Sequence, residues 1–409
     1  MKMKLTVAVI LSAFILLSAC TPSSAEPPPS PSVSSDLAPA SAGSDLPDAP
    51  SKKLTGGSLI DLKIKNYSKW LIGFYKNQLL FASSVTNTSP DGEYLETGDE
   101  SYHSFDLQTK QMKKLGEIPY RKSSSGDFLI MDDRYLYAAA LAGDPQLCQF
   151  YGFSLDGGPK KIIDKSNAIH VPFQFLSQYN SDVMVLHIFD ASPGEEEICD
   201  YYLKKYNIRT GAYETIVSCT YNLTAQEGKS ISTVFCNNDK IYAISGQNIE
   251  EYDIDGNLLT SYSAKPAFVR AARNSDGLWR MYIYDDYFIF STLNGNALIF
   301  RQKNGELEGI KTLELFQPQV SISNPHKTPD YIFLASTDNA DKLKIFDIKN
   351  ETIHTFEFAL DETCRYLVKL VVDDEGNIVV LLSSSKLYDD NATMKYFYFS
   401  AEEIKQQLQ

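Results

Sequence analysis

A pair of landmarks recurs along this chain about every fifty residues, and a period of that length is the mark of a repeat architecture. The first landmark is a polar turn. It falls at Lys76-Asn77, Asp132-Asp133, Asn180-Ser181, Asn237-Asn238, Asp285-Asp286, Pro329-Asp330 and Asp374-Glu375-Gly376. Each turn leads into an apolar run of one flavour, at 78–84, 135–140, 183–189, 240–245, 287–292, 331–336 and 377–384. The second landmark is an aromatic residue followed by a turn that often carries Asp. It begins at Phe105, Phe153, Tyr206, Tyr252, Phe300, Phe346 and, in degenerate form, Phe399. The most regular unit spans 280–315. There Asp285-Asp286, Asn294-Gly295 and Asn304-Gly305 separate four short runs rich in Tyr, Phe, Ile and Leu. Such runs suit a half-buried pleated surface, and Asn-Gly tolerates the positive φ of a tight hairpin, so each unit reads as a four-stranded antiparallel meander.

Repeated meanders of this length, ringed about a channel, make an all-β fold, a β-propeller with seven four-stranded blades. The period resembles that of WD40, kelch and YVTN-type propellers, although their signatures are missing and only Trp70 and Trp279 are present. Merging the weaker units around 171–218 or 319–358 gives six blades instead. The last unit offers only three strands, at 366–372, 378–384 and 394–399. Residues 59–65, where Ile60, Leu62 and Ile64 alternate with polar neighbours, supply the missing strand and close the ring, which removes an exposed edge. Ser400 and Glu403 then form a capping box for a short terminal helix, with Phe399 and Ile404 placed as a staple.

The N-terminus reads as an address. Lys2 and Lys4 precede an apolar core at 5–17 that is short for a membrane span. The core ends on Leu17-Ser18-Ala19-Cys20, which resembles the lipobox of bacterial lipoproteins. The resemblance implies a signal peptide at 1–19, acylation of Cys20 and a cell-membrane protein anchored through that lipid on the extracytoplasmic face. Residues 20–56 are rich in Ser, Pro, Ala, Asp and Gly and contain no aromatic side chain, so they read as a tether. The propeller domain is expected over 57–409. A net charge of -14 repels phosphate backbones, so nucleic acid is not an expected partner.

Candidate chemistry is sparse. Beyond Cys20 the cysteines are Cys148, Cys199, Cys219, Cys236 and Cys364, with no C-x-x-C pair for zinc or redox work. Cys199 and Cys219 flank the turn near Arg209-Thr210 and are the candidate cross-strand disulfide, against the commoner fate of buried thiols acting as small hydrophobes. His103, His170, His187, His326 and His354 never share metal-ligand spacing. Asp253-Ile254-Asp255-Gly256-Asn257 opens like a calcium loop, but its Gly stands at position four and it reads as a hairpin turn. Residues 274–279 compare with the Asp-box of sialidase-type propellers, yet Gly277 and Trp279 stand too close together. Neither a nucleophile elbow nor a Walker loop is found. No cofactor or metal site is expected. The inserts at 85–101 and 190–198 are acidic connections between second and third strands, where a rigid scaffold can present function. The expectation is a binding propeller for a protein, peptide or glycan; the alternative is a glycan-active hydrolase or lyase on the same scaffold.

Overall fold

The computed structural model describes residues 49–409 except 63–67, 85, 89–93, 97–99, 119–127, 132–134, 143–146, 156–160, 164–172, 181, 193–197, 208–209, 211, 273–276, 293–295, 315–325, 328–329, 335–341, 374 and 386–391. The described residues form an all-β protein of seven successive sheets, each of four or five strands, and one two-stranded ribbon. Sheet 1 comprises Ser68–Tyr75, Gln78–Ser84, Glu100–Asp106 and Met112–Ile118, and sheet 2 Phe128–Met131, Tyr135–Ala142, Leu147–Ser154 and Lys161–Ile163. Sheet 3 comprises Phe173–Gln178, Val183–Ser192, Ile198–Asn207, Tyr213–Asn222 and the short Glu227–Gly228. Sheet 4 comprises Ile231–Asn237, Lys240–Ser245, Asn248–Tyr252 and Leu258–Ser263, and sheet 5 Leu278–Tyr284, Tyr287–Thr292, Asn296–Lys303 and Glu306–Glu314. Sheet 6 has His326–Lys327, Tyr331–Leu334, Lys342–Asp347 and Thr352–Phe358, and sheet 7 has Tyr366–Val372, Ile378–Ser383 and Met394–Phe399. The weak units around 171–218 and 319–358 thus each have a sheet of their own.

Local turn chemistry explains the meanders. Lys76 and Asn77 have φ of 44° and 63°, and Asn304 and Gly305 have 54° and 84°. Positive φ at both central residues is the twist-matched geometry for a two-residue hairpin. In sheet 4 the turn is Asn238-Asp239, one residue later than expected, because Asn237 still pairs with Lys240. The outer turns are held by the expected acidic residue. Asp106 Oδ1 accepts from the Gln108 and Thr109 amides at 2.8 and 2.7 Å. Asp253 Oδ1 accepts from the Asp255 and Asn257 amides at 3.0 and 2.9 Å. That wiring makes the calcium-like stretch a plain turn, with Gly256 at φ 84°.

Second strands lie deep in the packing: every residue of Tyr287–Thr292 and of Ile378–Ser383 is buried, and most of them are apolar. Tyr102 of sheet 1 stacks on Phe153 of sheet 2 at 4.6 Å, and Leu203 of sheet 3 shares a core with Val234 and Ile241 of sheet 4. Tyr242 meets Phe288 edge-on at 6.2 Å between sheets 4 and 5, and Tyr287 meets Phe346 at 5.3 Å between sheets 5 and 6. Phe356 and Phe399 lie in one cluster joining sheets 6 and 7. The series then returns to its start: Phe81 of sheet 1 packs on Tyr396 of sheet 7 at 5.7 Å. Full burial of one such side chain stabilises by about 1.5–3 kcal/mol, so each of these six junctions is worth several kcal/mol before ordering entropy is subtracted.

Both chain ends enter these last sheets. Ser58–Ile60 pairs antiparallel with Met394–Phe399, completing sheet 7 with a fourth strand. The strand expected at 59–65 is therefore shorter where described, and 63–65 lie outside the described residues. The tether expected to reach residue 56 is corrected: Lys52–Leu54 pairs in parallel with Thr352–Phe358 at the edge of sheet 6, and Leu54 is fully buried. Between the two strands the chain passes through Gly56 and Gly57, at φ of 83° and 76°. A Cβ at Gly57 would stand 2.7 Å from the Phe399 ring, so the crossing needs glycine there. The terminal helix Ala401–Leu408 starts at the anticipated capping box, with Ser400 accepting from the Glu403 amide and Glu403 accepting from the Ser400 amide.

Candidate functional site

The first strands carry one shared irregularity. In five sheets the pairing between first and second strand slips by one residue within the first strand. The slips lie between Leu71 and Gly73, Phe173 and Phe175, Ile231 and Thr233, Leu278 and Arg280, and Leu367 and Lys369. A bulge leaves one residue unpaired and re-aims the side chain that follows. These strands also converge, since the first strands of sheets 1 and 2, 2 and 3, 3 and 4, 4 and 5, and 7 and 1 touch. The residues just after the slip, Gly73, Phe175, Thr233, Arg280 and Lys369, therefore stand at equivalent register positions on their first strands. Two of the five are cations.

The meander fixes which rim they approach. A first strand begins at the end of the sheet where the second-to-third connection and the incoming inter-sheet connection also lie. That rim receives the longer connections, including the inserts at 85–101 and 190–198. The opposite rim carries the tight turns. Arg280 and Lys369 are the third and fourth residues of their strands, so they sit toward the rim of long connections. The first insert includes a small ribbon, Thr86–Thr88 with Tyr94–Glu96, where the sequence suggested only a loop. The second is shorter than expected, because the strands of sheet 3 continue to Ser192 and resume at Ile198.

Electrostatics set Lys369 apart. Solvent reaches Lys369, yet protein surrounds its ammonium on nearly every side. Burial lowers its pKa, and the neighbouring charge of Arg280 lowers it further. Other basic residues answer to acids: Lys240 to the buried Glu251 at 2.6 Å, Lys229 to Glu250 at 2.6 Å, Arg301 to Glu351 at 2.5 Å. Among the described residues no acid pairs with Lys369.

The residues singled out in the sequence are not gathered here. Cys20, His170 and the stretch 274–276 lie outside the described residues. Cys199 and Cys219 share the hairpin of sheet 3, but Cys199 stands opposite Tyr221 and Cys219 opposite Tyr201. They are diagonal neighbours, a separation too wide for a disulfide, and no bond joins them. His187 is fully buried opposite Phe175, stacked parallel on Tyr201 at 6.1 Å, and burial lowers its pKa to about 4. It is a neutral core residue at working pH. His354 lies on the last strand of sheet 6 with Nε2 3.9 Å from Asp347. Neither Arg280 nor Lys369 was singled out, although each has a signal: one cation interrupting an apolar run, in LWRMYIY and in YLVKLVV.

Comparison with known proteins identifies no family. No family model and no curated protein matches the chain. Among solved structures, an oligogalacturonate lyase from Vibrio parahaemolyticus matches at 11% identity over 81% of this chain and 90% of its own, with a TM-score of 0.48. Sqt1 of Saccharomyces cerevisiae matches at 11% identity over 86% of each chain, TM-score 0.47. The computationally designed Ika8 protein matches at 12% identity over 84% of this chain and 100% of its own, TM-score 0.48.

Proposed function

We propose that this protein is a seven-bladed β-propeller, lipid-anchored on the extracytoplasmic face of a membrane, that binds a ligand at its channel mouth and releases it unchanged. The observation that carries the ring is the junction between sheets 7 and 1, where Tyr396 packs on Phe81 and Ile60 joins the same cluster. A strand from the start of the chain within the last sheet supports closure, because it couples the two ends that an open array would leave free. The converging first strands, bulged alike in five sheets, support a binding surface around the channel. Anchoring rests on Lys2, Lys4, the apolar core and Leu17-Ser18-Ala19-Cys20. A strand at Lys52–Leu54 leaves residues 20–51 as the tether between lipid and ring.

The test is a titration of the full-length protein on lipid vesicles with peptides and glycans, following both binding and the chemical state of the ligand. Saturable binding with ligand recovered intact is expected. Time-dependent appearance of a cleaved product overturns the binding reading in favour of a hydrolase or lyase. Cys20→Ala should move the protein from the membrane to the soluble fraction; retention in the membrane would remove the anchor from the account.

A further inference from the structure

The outermost strands divide the sheets into two arcs of opposite charge. In sheets 6, 7, 1 and 2 they are Lys52–Leu54, Ser58–Ile60, Met112–Ile118 and Lys161–Ile163. These strands carry Lys52, Lys53, Lys113, Lys114 and Lys161 against Glu117 alone. In sheets 3, 4 and 5 the outer edge is Tyr213–Asn222 with Glu227–Gly228, then Leu258–Ser263, then Glu306–Glu314. These carry Glu214, Glu227, Glu306, Glu308 and Glu314 against Lys311 alone. We propose that the basic arc docks the protein edge-on against anionic lipid headgroups of the membrane that holds its anchor. This rests on the anchored reading above.

Position is the first argument. Sheets 6, 7, 1 and 2 follow one another through the contacts of Phe356 with the Phe399 cluster, Tyr396 with Phe81, and Tyr102 with Phe153, so the basic arc is continuous. The tether leaves from this side, because Lys52 is the first residue of the outer strand of sheet 6.

Exposure is the second. Lys53, Lys113 and Lys114 are exposed, as is Lys110 in the turn that leads into Met112–Ile118. Lys113 Nζ reaches the Leu155 carbonyl at 3.5 Å, a neutral partner that leaves its charge uncancelled. Lys114 pairs with Glu117, but both are exposed, and such a pair is worth little and exchanges readily. Glu357, beside Lys53, already accepts from Ser51 at 3.3 Å and faces Lys342 at 3.8 Å. Between the two lysine edges stands Leu59, on the outer strand of sheet 7. At 59% it is the most exposed large apolar side chain among the described residues. Lysines flanking an exposed leucine suit a membrane interface: the cations attract headgroups and the leucine enters the boundary beneath them. The acidic arc is repelled by the same surface, so the net charge of -14 orients the protein instead of preventing contact.

The experiment mixes the full-length protein, purified from membranes, with vesicles of phosphatidylcholine alone or with phosphatidylglycerol in a three-to-one ratio. It reads flotation, and acetylation of each lysine by mass spectrometry. On the anionic vesicles Lys53, Lys113 and Lys114 should acetylate at least roughly threefold more slowly than on the neutral ones, the factor by which an anionic surface concentrates protons at nearby amines. Lys311, on the acidic arc, should not change. The contrast should vanish at about 1 M salt, where the screening length falls to about 3 Å. Lys113→Gln combined with Lys114→Gln should return Lys53 most of the way to its rate on neutral vesicles, whereas Lys311→Gln should leave its protection in place. Equal rates on both vesicles overturn the proposal. So does equal slowing at Lys311, slowing that survives salt, or full protection of Lys53 in the double variant. Flotation separates docking from anchoring. Protein that floats with both vesicles at equal rates of acetylation keeps the anchor and loses the docking. Protein that floats only with the anionic vesicles keeps the docking and loses the anchor, and protein that floats with neither overturns both.

Discussion

The side chain of Gln407 reads both backbone groups of Thr55: its Oε1 accepts from the Thr55 amide at 3.1 Å, and its Nε2 donates to the Thr55 carbonyl at 3.0 Å. Lys52 Nζ adds a bond to the Gln407 carbonyl at 3.1 Å. The terminal helix thereby clamps the segment in which the chain crosses from sheet 6 to sheet 7. Both bonds are exposed, so their net worth is modest. Gln407→Ala should destabilise the fold by about 1 kcal/mol, measured as a lower midpoint in urea with an unchanged slope. No shift at all would mean that the clamp is decorative.

Ile60 is the deeper part of that closure. It stands opposite Tyr396, is 5% exposed, and shares its cluster with Leu71, Phe74 and Phe81 of sheet 1. Ile60→Ala removes buried methylenes at a junction of two sheets and three chain segments. The expected cost is about 2–4 kcal/mol, read by chemical denaturation. A cost near that of a surface substitution would show that the strand at 58–60 contributes little to closure.

His187 makes stability depend on pH. Its folded pKa is about 4 against 6.5 for a free imidazole, because burial disfavours the charged ring. The neutral form is accommodated above pH 6.5. Below it the unfolded chain takes up a proton that the folded chain refuses, so stability is lost as pH falls from 6.5 through 4. The shift corresponds to about 3 kcal/mol across that window. His187→Phe keeps a ring to stack on Tyr201 and should lack this loss. Denaturation midpoints of both proteins between pH 7 and 4 should diverge in favour of the variant; parallel profiles would contradict it.

The thiols offer a check on register. Cys219 is partly exposed, and its pKa is raised chiefly by burial, whereas Cys236 is pushed up to about 12 for the same reason. In the native protein Cys219 should alkylate slowly at pH 7 and faster as pH rises. Cys199 and Cys364, each 1% exposed, should label only after unfolding. All four should label in denaturant without reductant. Mass mapping that finds Cys199 and Cys219 protected together under those conditions would mean a disulfide and a different register.

What was legible in the sequence was local. Lys76-Asn77, Asn304-Gly305 and the Ser400–Glu403 cap depend on a few adjacent residues, and each stands where its chemistry predicts. The cysteine register was not legible, because two single-residue offsets add. The hairpin centres with Tyr206 opposite Tyr213, and the slip between Leu203 and Lys204 shifts the ladder once more, leaving Cys199 opposite Tyr221. Lys52–Leu54 was hidden for another reason. Three residues at the end of a Ser- and Pro-rich segment have little strand preference of their own and owe their pairing to Phe356, Glu357 and Phe358, some 300 residues away. Arg280 and Lys369 are far apart in the chain, and only the matched bulges on their first strands put them at equivalent register positions.

The central claim is that the chain ends close the ring, and hydrogen exchange followed by mass spectrometry reads it without any mutation. Ser58–Ile60 and Met394–Phe399 are partners in one sheet, so a peptide covering 58–60 should exchange as slowly as the peptide covering 394–399. The two should also lose protection together in rising denaturant. Rapid exchange at 58–60 beside a protected 394–399 would contradict the account, leaving an open array of sheets with a free edge.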